Sequence, residues 1–195
     1  ASIGITQGPG CGKYLAQWMV HGQTEINVRD MDSRRYGQWA SGDYAIAKSI
    51  DEYQQMYQPY LPGEYREVGR PTRVTALYDD LKQKGAIYGD SFGWERPKFF
   101  APKGLNEIHG FRRTNVFDII GEECRAVRES VGIADLSSFA KYEVRGRDAR
   151  GLLARVCANR LPRRDGSVVL SQMLTALGGI ECEATVTRFT EEHYY

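Results

Sequence analysis

The chain has 195 residues, 42% of them hydrophobic and 26% charged, with a formal net charge of +1. That balance suits a soluble globular protein and gives no electrostatic reason to expect nucleic acid or an anionic membrane as partner. No apolar run approaches the ~20 residues of a membrane span, and Cys11, Cys124, Cys157 and Cys182 form no CxxC pair, which argues against a zinc site and a disulfide framework.

Ile3-Gly4-Ile5-Thr6 suits a short buried strand. Gly8-Pro9-Gly10-Cys11-Gly12 then reads as a glycine-rich turn opening a helix from Lys13 to His21, which stops at Gly22. Three glycines in five residues allow a backbone to pass close to a ligand, and the amides of a following helix favour an anion. A tight turn before a surface helix is the competing reading. Glu25–Arg29 alternates like a strand, and Asp30–Ser33 resembles a turn or cap.

Ala40–Met56 has the pattern of a partly exposed helix, broken by Pro59, Pro62 and Gly63. A second helix is expected from Pro71 through Lys82, ended by Gly85, followed by a short strand at Ala86–Tyr88. Gly93-Trp94-Glu95-Arg96-Pro97-Lys98-Phe99-Phe100 reads as an aromatic turn, either a stacking platform or part of a core or interface. His21, His109 and His193 are isolated, and no metal-ligand set or acid–base pair stands out.

A third stretch starts with a helix over Val116–Val131 and a strand at Lys141–Arg145. Asp148 precedes a helix at Leu152–Ala158, and strands at 167–174 and 180–189 are joined by Thr175–Gly179, whose Gly-Gly pair suits a hairpin. With a glycine device at residue 8 and a sheet that stops at Tyr194-Tyr195, the chain is expected to be an internal piece of a longer protein.

The ordered pieces resemble the dimethylglycine/sarcosine dehydrogenase family. GPGCGKYLAQWMVHG resembles the last flavin-contacting turn and helix of its oxidase domain. DMDSRRYGQW and GRPTRVTALYDDLKQKGAIYGDSFGWERPKFF resemble its connector. FRRTNVFDIIGEECRAVRESVGIADLSSFAKYEVRGRDA and VLSQMLTALGGIECEATVTRF resemble the opening of its aminomethyltransferase-like (T-protein) part. The resemblance implies an α+β chain in three pieces: 1–36 as the tail of an FAD-binding α/β domain, 37–110 as a small helical connector, and 111–195 as the start of a folate-binding α+β domain.

The same resemblance implies FAD and tetrahydrofolate as cofactors, with Gly8, Gly10, Gly12 and Lys13 on the flavin side. Glu183 stands where the family usually has a catalytic aspartate that contacts folate, and Phe139, Leu170 and Tyr195 match folate-lining positions. For Lys13 and Glu183 a solvated surface role is the alternative, and for Leu170 and Phe139 an ordinary core role. The implied parent oxidises an N-methylated glycine, hands electrons to an acceptor and passes the carbon to folate. It would reside in the cytoplasm, or in the mitochondrial matrix of a eukaryote, and the 195-residue piece alone is expected to be inactive. A pure folate-dependent aminomethyltransferase and a non-catalytic connector or binding module are the other readings.

Overall fold

The computed structural model describes residues 4–195. The fold is α+β and divides into two compact units, one up to Asp135 and one from Leu136 to Tyr195.

The first unit opens with helix α1, Gly4–His21. This corrects the expected strand and glycine turn: residues 4–6 are helical, Ile3 lies outside the described residues, and the helix runs unbroken through Gly8, Pro9, Gly10 and Gly12. Glycine costs up to about 1 kcal/mol and proline about 3 kcal/mol in a helix interior. No residue of α1 is buried, so packing within the unit does not offset that cost. The expected strand at Glu25–Arg29 is also absent, since no neighbouring strand pairs with it among the described residues. Two 3-10 turns stand there instead, Arg29–Met31 and Ser33–Arg35, with the Asp32 side chain accepting from the Arg34 N–H.

Helix α2 (Gly42–Gln54) follows the expected pattern and starts at Ser41, whose hydroxyl accepts the Tyr44 N–H at 3.3 Å. Helix α3 covers only Tyr78–Gln83. The expected helix fails over its first part because Thr72, Val74 and Thr75 are β-branched and favour extended backbone. Arg73 there bridges Trp94 in parallel: its N–H donates to Gly93 O at 2.9 Å, and its carbonyl accepts the Glu95 N–H at 2.8 Å.

The aromatic stretch expected to be a turn is instead strand β2, Trp94–Phe100, antiparallel to β1, Ala86–Ser91. The true turn is Phe92-Gly93, both with positive φ (51° and 78°), the signature of a two-residue type I′ hairpin. Pro97 is tolerated in β2 because it sits at the register shift between Ile87 and Tyr88. Helix α4 (Phe117–Glu129) supplies Ile119 to a small core of Phe99, Ala101 and Val116.

In the second unit, β3 (Val144–Arg145), helix α5 (Ala149–Val156), β4 (Val168–Leu174), β5 (Ile180–Thr190) and β6 (His193–Tyr194) follow in order. The strands form an antiparallel sheet ordered β3-β6-β5-β4. Helix α5 begins directly after Asp148, earlier than expected, although the Asp148 side chain makes no cap. It packs Ala149 and Leu153 on Cys157, Leu161, Val186 and the fully buried Tyr194, with Val169 and Met173 at the margin.

Candidate functional site

The β4–β5 hairpin sets the geometry of the residues expected on the folate side. Val169, Ser171 and Met173 pair with Val186, Ala184 and Cys182; side chains alternate along a strand, and this set lies on the face that holds the core. The intervening residues therefore share the other face: Leu170 opposite Thr185, and Gln172 opposite Glu183. A register shift between Met173 and Leu174 is decisive. Extending the Leu174–Ile180 pairing without it would set Glu183 against Ser171, which is 1% exposed. A one-residue slip exchanges the faces of a strand, so the bulge is what brings Glu183 to the open side.

On that side the Gln172 side-chain amide donates to Glu183 Oε2 at 2.9 Å. Among the described residues no hydrogen-bond donor meets the other carboxylate oxygen, Oε1, of this exposed residue. Farther along β5, Thr187 and Tyr195 exchange both backbone hydrogen bonds, at 2.8 and 2.9 Å. Such a pair directs both side chains to one face. Tyr195 thus joins the face of Leu170 and Glu183, with the Phe189 ring 6.3 Å away. Leu170, Phe189 and Tyr195 are 51%, 46% and 44% exposed, an apolar strip beside a carboxylate.

Phe139 is not on this sheet. It lies in the turn that its N–H closes on Leu136 O at 3.1 Å, and it is exposed. Gln172, Thr185, Thr187 and Phe189 escaped the sequence reading. The period-two alternation of β5 was the available signal for the last three, while Gln172 needed the bulge.

Gly8, Gly10, Gly12 and Lys13 all lie on α1 in the first unit and are exposed. Gly8 and Gly12, four residues apart, share one helix face, and Gly10 points elsewhere. A Cβ at any of the three would meet nothing within 4 Å. The backbone amides here lie inside a helix that began at Gly4, so the expected aim of a helix start from Gly12 does not exist in this fold. Lys13 is committed to Glu25 in an ion pair. That hydrogen bond holds the ammonium above its ordinary value, and the Lys13 and Gln17 side chains hold the Glu25 carboxyl below its own.

Comparison with known proteins gives this architecture its relatives. Residues 77–195 match the GCVT N-terminal domain family, and residues 21–75 match the FAD dependent oxidoreductase central domain. The chain is 38% identical over 187 residues to mitochondrial dimethylglycine dehydrogenase of Rattus norvegicus, covering 94% of this chain and 22% of that protein. It is 32% identical over 202 residues to the mitochondrial pyruvate dehydrogenase phosphatase regulatory subunit of Mus musculus (100% and 23%). To human mitochondrial sarcosine dehydrogenase it is 30% identical over 220 residues (98% and 24%). The chain spans less than a quarter of the length of each of these relatives. It belongs to the GCVT N-terminal domain family.

Proposed function

We propose that the chain is the junction of an FAD-dependent dehydrogenase of N-methylated glycine, where the amine-oxidising part meets the part that receives the carbon on tetrahydrofolate. The observation that carries this reading is the common face of Leu170, Glu183 and Tyr195, held by the β4–β5 bulge and the Thr187–Tyr195 pair. The two family matches, in the order oxidoreductase then GCVT, support it.

Tetrahydrofolate, when bound, supplies the nucleophilic nitrogens that capture a one-carbon unit. The fit on this chain is chemical. A pterin edge offers paired N–H donors, and a carboxylate accepts such a pair as charge-assisted hydrogen bonds. Gln172 holds Glu183 Oε2 and orients the carboxylate. Glu183 and Thr187 are four residues apart on β5, about 13 Å along the strand, so the face accepts a long flat ligand stacked on Leu170, Phe189 and Tyr195. In the proposed role Glu183 takes the family's aspartate position with one more methylene, and Phe139 closes over the ligand from its turn. Gly8, Gly10, Gly12 and Lys13 are proposed to border the flavin as a bare helix edge that another body can approach closely. Partners are then a small N-methylated glycine and an electron acceptor, with no nucleic acid or membrane, in the cytoplasm or a mitochondrial matrix. No helix among the described residues is long and apolar enough to cross a membrane.

The likeness to the phosphatase regulatory subunit over the whole chain favours a second reading, a non-catalytic binding module. Anaerobic addition of dimethylglycine or sarcosine to the full-length protein separates the two. Bleaching of oxidised flavin absorbance is expected from the dehydrogenase. A protein whose absorbance does not change with either amine is the binding module.

A further inference from the structure

The second unit has a cleft on the helix side of its sheet, the side away from Glu183. Its volume is about 330 Å³, and it is formed by the end of α5 and the segment from Ala158 to Arg163. Ala154, Cys157 and Leu161 line it together with Arg150, Arg160 and Arg163. No carboxylate lines the cleft. The surrounding sequence is strongly basic: seven arginines and one aspartate fall between Arg145 and Arg164, in a chain whose whole net charge is +1.

These arginines are unequally engaged. Arg150 is placed by Glu191, 3.6 Å from its Nε, and by the Tyr194 hydroxyl at 3.4 Å. Among the described residues the exposed side chains of Arg160 and Arg163 have no acid partner. The carbonyl end of α5 contributes about half a negative charge. Counting Arg150 as neutralised by Glu191, two full positive charges still outweigh it. Like charges gathered around one concave surface repel, and an anion between them relieves that repulsion. Guanidinium forks match the paired oxygens of carboxylate and phosphate, and the volume is that of a small-molecule site.

We propose that this cleft binds a small polyanion, a molecule carrying two or more carboxylate or phosphate groups. The site is independent of the folate reading, since no residue is shared between the two faces.

The test titrates the full-length protein with pyrophosphate and with tricarballylate by calorimetry, then repeats it with R160A/R163A. Both arginines are exposed, so the fold does not depend on them. At least one probe is expected to bind with a Kd of roughly 1 mM or tighter. The double variant is expected to bind at least about tenfold more weakly. Tighter pyrophosphate assigns the natural ligand to phosphates, and tighter tricarballylate assigns it to carboxylates. Absence of binding by both probes, or undiminished binding by the double variant, overturns the proposal.

Discussion

Arg70 and Glu95 form a two-pronged ion pair inside the first unit, with Nε donating to Oε1 at 2.9 Å and the second fork nitrogen to Oε2 at 2.7 Å. Their side chains are only 7% and 3% exposed. The same guanidinium reaches the Tyr88 carbonyl at 3.1 Å and Glu67 at 2.8 Å. It thereby fastens the segment before α3 to both strands of the hairpin. Removing one partner strands the other charge in the interior, which costs about 3–5 kcal/mol. R70M is therefore expected to lower the urea-unfolding free energy of the first unit by that amount. E67Q, which alters a carboxylate 81% exposed, is expected to change it by less than about 1 kcal/mol.

Gly85 and Gly104 separate two sources of glycine dependence. Both have positive φ, 92° and 88°. A Cβ at Gly85 would lie 2.6 Å from the Ala101 carbonyl oxygen, whereas one at Gly104 would meet nothing within 4 Å. G104A is expected to cost only left-handed strain, about 1–2 kcal/mol. G85A adds a clash with backbone that is itself held, since the Ala101 N–H donates to Gly85 O at 2.9 Å. Thermal unfolding of the two variants should give the larger loss for G85A; equal losses would refute the clash.

Tyr88 sets a pH dependence. Burial, then the neighbouring Tyr78 and the carboxylates of Asp135 and Glu95, push its phenol from 10.0 up to about 12. Its hydroxyl donates to the Tyr78 carbonyl at 2.8 Å. A folded value above the unfolded one means the stabilisation is fully present below pH 10.0 and is lost as pH rises toward about 12. Y88F lacks this ionisation. Its unfolding free energy should fall less steeply across that window than the wild type's, while at neutral pH it loses about 1 kcal/mol with the hydrogen bond. Parallel slopes for the two proteins would remove Tyr88 as the cause.

Much of the second unit was legible in the sequence because its signals agree. Val169, Ser171 and Met173 alternate with exposed neighbours, and Gly178, with a φ of 83°, supplies the left-handed turn residue. The strand carrying Glu183 followed from that alternation, but its register against β4, and with it the pairing to Gln172, did not, because a one-residue bulge leaves no mark in composition. The short β6 strand was invisible: His193 and Tyr194 gain strand geometry only by pairing with Val144, Arg145 and β5. In the first unit, turn-forming glycines and Pro9 misled about α1, and Pro97 hid β2. Both are places where local preference conflicts with the structure adopted. Gly8, Gly10, Gly12 and Lys13, expected on the flavin side, inherited that error in their expected geometry.

Glu183 carries the central claim, and the fate of the one-carbon unit tests it most directly. The full-length protein is supplied with dimethylglycine, an electron acceptor and tetrahydrofolate, and the products are separated into methylenetetrahydrofolate and free formaldehyde. The wild type is expected to deliver the carbon mainly to folate. E183Q, which keeps the shape but loses the charge that accepts the pterin donors, is expected to shift the ratio toward formaldehyde by about tenfold or more. An E183Q ratio equal to the wild type's would contradict the assignment of this sheet face as the folate site.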